Sequence, residues 1–220
     1  MPHHLAQVLT PDELEQIRAL CVDEDAFAPG ERTAGWAARP VKSNLQMKPG
    51  GRLDAVRRIV EPAMRRHPVF TALALPKSTT GLLVNRHQAG MHYGRHVDDA
   101  LIGRVRADLS FTVFLSPPDS YRGGALILHG VDGETAIKAD AGDAVIYDTG
   151  ELHEVAPVTD GERTAVVGWV RSYVRSAEQR AILFDLDRST RAIIESHGRS
   201  EAIDHLIAAR TNLLRMWAED

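Results

Sequence analysis

The stretch that most constrains this chain is His96-Val97-Asp98, followed 55 residues after Asp98 by His153 in Leu152-His153-Glu154-Val155 and then by Arg163. Residues i and i+2 of an extended strand point to the same side, so His96 and Asp98 can reach one metal ion while Val97 packs the other way; a helix would splay them apart. A third ligand so far along must come on another strand laid alongside. Asp143-Ala144-Val145-Ile146-Tyr147, followed by Asp148-Thr149-Gly150, reads as the strand and turn that deliver His153. Two imidazoles and one carboxylate suit a non-haem Fe(II) site with open coordination positions, and the later arginine can hold a dicarboxylate cosubstrate.

The rest of the chain is organised to match. From Leu82 to Val170 short aliphatic and β-branched runs alternate with glycine: 82–84, 109–115, 125–128, 144–147 and 164–170. Many short strands in sequence favour a sandwich or barrel. Helices are expected at both ends. Thr10-Pro11-Asp12-Glu13 combines an N-cap, a proline at N1 and a glutamate at N3, opening a helix that carries Leu14, Ile17 and Leu20. A second helix spans Arg52 to about His67, with Leu53, Val56, Val60 and Met64 on one side and Pro62 as a dividing or kinking point. Ser176-Ala177-Glu178-Gln179 reads as another capping box. It opens a helix carrying Ile182, Leu183, Leu186, Ile193 and Ile194 that Gly198 ends, and Ser200 caps a last helix with Ile203, Leu206, Ile207, Leu213, Leu214 and Trp217. This predicts an α+β chain with a mainly β core: a domain over 1–175, its β core at about 82–172, and a helical hairpin over 176–220. The apolar faces of that hairpin read as core, with a homodimer interface as the alternative.

Other histidines and glycines carry less. His92 and His96 have i,i+4 spacing, but Gly94 interrupts them and the glutamate of a helical zinc motif is missing. His129 reads as a strand-end polar residue. Gly123-Gly124 makes a turn with close strand approach and lacks the strand-to-helix setting of a phosphate loop. A net charge of -4 provides no general basic field, so no nucleic-acid partner is expected. The single cysteine, Cys21, cannot close a disulfide within the chain, no apolar run reaches the ~20 residues of a membrane span, and the first residues lack a basic region followed by an apolar segment. A cytoplasmic protein without a membrane partner is the expectation.

Taken together, Tyr93-Gly94-Arg95-His96-Val97-Asp98, Asp108-Leu109-Ser110, Phe114-Leu115-Ser116, Gly123-Gly124, Ala141-Gly142-Asp143, Leu152-His153-Glu154-Val155-Ala156-Pro157-Val158 and Arg163 resemble the PKHD-type hydroxylases. These are bacterial members of the prolyl-4-hydroxylase-like group of Fe(II)/2-oxoglutarate oxygenases. The likeness extends to Pro40-Val41-Lys42-Ser43-Asn44 and to Asn212-Leu213-Leu214-Arg215-Met216-Trp217. It implies a distorted double-stranded β-helix, a jelly-roll or cupin-like barrel. His96, Asp98 and His153 would be both the iron ligands and the catalytic set, and Arg163 would pair with the distal carboxylate of 2-oxoglutarate. It further implies O2 as the other cosubstrate and admits L-ascorbate as a reductant. The reaction would couple oxidative decarboxylation of 2-oxoglutarate to hydroxylation of a peptidyl residue, an amino acid or a small metabolite, some relatives being linked to iron uptake.

Related prolyl hydroxylases often carry a tyrosine near the position of His87, where it helps to hold the cosubstrate, so His87 and Tyr93 stand as candidate pocket residues beside Asp99 and Tyr147. Gly142, Gly150 and His153 also resemble the second motif of cupins. That leaves a metal-dependent binding or sensor module as the alternative, against which Arg163 weighs, since a simple cupin needs no anchor for a distal carboxylate.

Overall fold

In the computed structural model, residues 2–219 are described, and they form two facing antiparallel sheets with helices packed against one of them. The larger sheet runs, in spatial order, His3–Leu5, Ala144–Asp148, Leu109–Phe114, Val158–Ser172, Pro76–Gln88, Leu45–Met47 and Phe27–Pro29, with Tyr121–Gly123 also paired to Val158–Ser172. The smaller runs Gly133–Ile137, Leu126–Gly130, His153–Val155, His92–His96 and Lys42–Ser43.

Alternation within single strands separates the two faces of the larger sheet. Leu109, Phe111 and Val113 join Ala144 and Ile146 in a core shared with Ile17, Val56, Val60, Met64 and Phe70 of the helices. Their neighbours Phe114, Val145 and Tyr147 turn the other way and meet Leu126 and Leu128 of the smaller sheet. Strands covered on both sides must be apolar throughout, and for this reason 144–147 reads as one unbroken run. Ser110 and Thr112 are the polar exceptions on the inner face, both buried. A polar residue placed there by the alternation marks where a site lies.

Among the described residues there are five α-helices: α1 Pro11–Leu20, α2 Gly51–Arg66, α3 Pro68–Ala74, α4 Ala177–His197 and α5 Glu201–Trp217. The Thr10 capping box forms as the sequence predicts. Pro62 neither divides nor ends α2, because the helix runs on to Arg66 with Ala63 and Met64 fully buried; tertiary burial outweighs the lost hydrogen bond. At α4, Ser176 accepts from the Gln179 N–H while its hydroxyl donates to Glu178, and Ser200 is the N-cap of α5 without a side-chain capping bond. Of the apolar positions in this hairpin, Leu183, Phe184 and Ile203 are buried, whereas Ile182, Ile193, Ile194, Leu206 and Ile207 stay exposed. Arg180 fastens α4 to the sheet, donating to Asp148 at 2.5 Å and to the Val174 and Arg175 carbonyls.

Strands also arise well before residue 82, at 3–5, 27–29, 42–43, 45–47 and from 76. These are edge or short segments held by ladder hydrogen bonds, too brief for a hydrophobic period to show. No helix among the described residues is long and apolar enough to cross a membrane.

Gly123 and Gly124 have φ of 68° and 63°, and a Cβ at Gly123 would fall 2.0 Å from the Pro157 carbonyl oxygen. Both strain and collision oppose any side chain there. G123A is expected to cost about 2–4 kcal/mol, seen as a lower urea midpoint with an unchanged slope; an unmoved midpoint would show that the turn relaxes freely.

Candidate active site

His96 and His153 are cross-strand partners in the smaller sheet, so their rings stand side by side with centroids 4.2 Å apart. The strand ends at His96, and Asp98 lies just beyond it rather than within it. The carboxylate still turns inward: Asp98 Oδ1 is 3.7 Å from His96 Nε2 and 3.8 Å from His153 Nε2. The three residues form a His/Asp/His cluster whose donor atoms all lie within 4.8 Å of one another.

Each donor is aimed by a second bond. His96 Nδ1 is 2.9 Å from the Gly94 carbonyl and His153 Nδ1 is 2.9 Å from the Glu151 carbonyl. A carbonyl can only accept, so each Nδ1 carries the proton and each Nε2 presents a lone pair to the cluster. Burial, followed by the neighbouring His153, pulls His96 down to about 4, which keeps its ring neutral. Asp98 Oδ2 accepts from Ser110 Oγ at 2.9 Å and Trp169 Nε1 at 2.8 Å, leaving Oδ1 for the cluster. Ser110 and Trp169 are themselves cross-strand partners in the larger sheet. The site therefore sits at the seam, with imidazoles from one sheet and a carboxylate steered by the other.

Arg163 lies deeper. It is 2 % exposed, yet its Nε and Nη2 have no hydrogen-bond partner of good geometry; the neighbouring Tyr121 hydroxyl is close enough to favour its charge. Its guanidinium carbon is 5.4 Å from the Phe114 ring centroid. An arginine buried with idle donors is costly unless an anion completes it. His87, its cross-strand neighbour, is 1 % exposed with both ring nitrogens unpartnered, and burial, then Arg163, holds it well below the usual imidazole range.

One cavity joins these groups: Arg163, His87, Tyr93, Asp99, Tyr147 and the His/Asp/His cluster all line it. Tyr93 stacks on His96 with centroids 3.6 Å apart, and Tyr147 meets His153 edge-on. His92 lies on the same strand as His96, not on a helix, and His129 pairs with Glu134 and Glu154 away from the cluster.

Trp169 and a polar wall of Thr33, Gln46, Asn85 and Lys42 also line the cavity; of these only Lys42 falls in a segment that carries the resemblance, 40–44, which gave it no role. Trp169 had a usable signal, since counting by two from Arg163 through Ala165 and Val167 turns it inward. Apart from the 40–44 segment that carries Lys42, the wall had none, because it comes from short segments far from His96 and His153 in sequence. Lys42, 6 % exposed, donates to Thr33 Oγ1 at 2.9 Å, and burial pulls its ammonium down to about 8.

Replacing Trp169 with phenylalanine frees Asp98 Oδ2 of one donor. W169F is expected to bind Fe(II) about 10- to 100-fold more weakly, the usual cost of losing a ligand's outer partner. Competition with a chromophoric chelator reads this directly, and wild-type affinity would mean that the indole does not steer the carboxylate.

The chain is similar to known proteins along nearly its whole length. Residues 82–171 match the 2OG-Fe(II) oxygenase superfamily and residues 178–219 match the PKHD-type hydroxylase C-terminal domain. The chain is 51 % identical to a PKHD-type hydroxylase of Maricaulis maris (strain MCS10), covering 99 % of each, and 45 % identical to one of Parvibaculum lavamentivorans over 98 % of each. Among solved structures, a Pseudomonas putida prolyl-4-hydroxylase aligns with a TM-score of 0.54 at 23 % identity, covering 78 % of this chain and 92 % of that one. A Trichoplax adhaerens prolyl hydroxylase, solved with a peptide fragment of hypoxia inducible factor, aligns with a TM-score of 0.57 at 17 % identity, covering 82 % and 86 %. The architecture they share is the double-stranded β-helix.

Proposed function

This chain belongs to the PKHD-type hydroxylases of the 2OG-Fe(II) oxygenase superfamily, and we propose that His96, Asp98 and His153 hold its iron while Arg163 anchors 2-oxoglutarate. The enzyme is an Fe(II)- and 2-oxoglutarate-dependent dioxygenase; the cupin-like binding or sensor module is not favoured. The single observation that carries the assignment of residues is the convergence of two Nε2 lone pairs and one carboxylate oxygen beside a buried arginine with idle donors.

The donor chemistry fits the metal. Neutral imidazoles and a carboxylate, three in all, suit Fe(II) and leave positions for cosubstrate and O2. Iron held there would let O2 act as the oxidant with 2-oxoglutarate as two-electron reductant, the oxo acid leaving as CO2 and succinate with one oxygen atom while the other turns a substrate C–H into C–OH. The protein's part is placement. Gly94 and Glu151 carbonyls fix the two rings, Ser110 and Trp169 fix Asp98, and Arg163 gives the distal carboxylate a charged, doubly donating end. His87, buried and neutral, offers one donor and one acceptor beside Arg163 where related prolyl hydroxylases often have a phenol; Tyr93 forms the wall over His96.

The substrate belongs to the peptidyl, amino-acid or small-metabolite classes, with a place in iron uptake as one setting. L-ascorbate is the proposed reductant for iron that has strayed to Fe(III). A cytoplasmic setting, no nucleic-acid or membrane partner and a homodimer joined through α4 and α5 complete this reading, the last supported by their exposed isoleucines.

Melting of the Zn(II)-loaded protein tests the assignment. 2-Oxoglutarate should raise the melting temperature, whereas glutarate, lacking the 2-oxo group, should raise it much less, because a ligand stabilises the native state in proportion to its affinity. No shift with 2-oxoglutarate would sink the cosubstrate assignment.

A further inference from the structure

Lys42 is a second cation facing the same cavity, and nothing in the reaction described above uses it. Its ammonium donates to the neutral Thr33 hydroxyl at 2.9 Å and lies 4.8 Å from the Tyr93 ring centroid. Thr33 is held in turn by Gln46 Oε1 at 2.6 Å, and Gln46 by Asn85 at 2.7 Å, so the wall that positions Lys42 is neutral throughout. Among the described residues, no carboxylate comes within ion-pair distance of Nζ. The one carboxylate that interacts favourably with it at longer range is Asp98. A bound metal would claim that charge.

Counting charges shows what is missing. Among the buried groups, Fe(II), Asp98, dianionic 2-oxoglutarate and Arg163 sum to zero and Lys42 then adds one positive charge; Asp99 also lines the cavity but lies at its exposed rim. An ammonium so placed, with donors to spare, costs several kcal/mol unless an anion meets it. Arg163 already serves the cosubstrate's distal carboxylate. A substrate anion would give the buried ammonium its partner.

Resting on the hydroxylase reading, we propose that Lys42 recognises a carboxylate on the substrate, and hence that the enzyme oxidises a small organic acid such as a free amino acid rather than an internal peptide residue. The position sets the scale. Lys42 lies over Tyr93, and Tyr93 stacks on His96, so the carboxylate docks about one aromatic ring away from the metal ligand. The carbon that is hydroxylated then lies only a few bonds from that carboxylate. An internal peptide residue presents neutral amides there and leaves Lys42 unpaired.

The test uses acetate, propionate and butyrate against acetamide, propionamide and butyramide on the anaerobic Fe(II)- and 2-oxoglutarate-loaded protein. Binding is read both by perturbation of the visible band of the chelated oxo acid and by saturation-transfer NMR of the probe. The acids should bind saturably with 2-oxoglutarate still in place, at least about tenfold more tightly than the amides, as expected for a charge-assisted bond. K42Q should erase the preference and K42R should keep it, while 2-oxoglutarate affinity stays within about twofold in both. Equal binding of acids and amides, a preference that survives K42Q, or acids that act by displacing 2-oxoglutarate would each overturn the proposal. Wild-type protein that never develops the band would instead refute the hydroxylase site, and the NMR comparison would still decide what Lys42 does.

Discussion

Replacing His153 with alanine is expected to remove iron binding at micromolar Fe(II) and to lower 2-oxoglutarate turnover by at least about a thousandfold. Few groups define the site: two Nε2 atoms and Asp98 Oδ1 are the converging donors, and each side chain is aimed by a bond at its other polar atom. With His153 gone, two donors remain and nothing nearby substitutes, since His129 is committed to Glu134 and Glu154 on the outer side of its strand. H96A should behave alike. Circular dichroism should show the fold retained, because both rings lie at the cavity wall rather than among the packed aliphatic side chains. Normal turnover with normal iron content in either variant would exclude these residues as ligands.

The second large effect concerns Arg163 and runs in two directions. R163L should weaken 2-oxoglutarate by about a hundredfold, the value of a doubly donated, charge-assisted contact with a carboxylate. The protein without cosubstrate should not lose stability, because leucine replaces a buried guanidinium with idle donors, and removing an unpaired buried charge is neutral or stabilising. Burial lowers the arginine's affinity for its proton, a sign of the same penalty. A functional group that costs stability when empty is what an anchor looks like. An R163L protein that melts well below wild type but binds 2-oxoglutarate normally would instead make Arg163 structural.

How much of this was legible in the sequence depends on range. His96 and Asp98 could be read from their i,i+2 spacing, His153 from the apolar run and turn that precede it, and Arg163 from the strand it opens, and the ligand chemistry restricts the alternatives. Helix α1 was legible from its capping box alone, a local signal. Illegible were the strands at 42–43 and 45–47, too short for alternation; the 40–44 segment stood out in the likeness, but not that it turns Lys42 into the cavity. The placement of Trp169 against Asp98 needs the register between Val158–Ser172 and Leu109–Phe114, which joins Trp169 to Ser110 across a gap in sequence that no local pattern spans. Pro62 shows the reverse, a strong local signal that burial of Val60, Ala63 and Met64 overrules.

The most direct measurement is an anaerobic titration of the Fe(II)-loaded protein with 2-oxoglutarate, followed through the weak visible charge-transfer band of a chelated 2-oxo acid. The account predicts a saturable band in wild type that is lost in H153A and reached in R163L only at far higher 2-oxoglutarate. Iron bound at one equivalent with no band in the wild-type protein would contradict it.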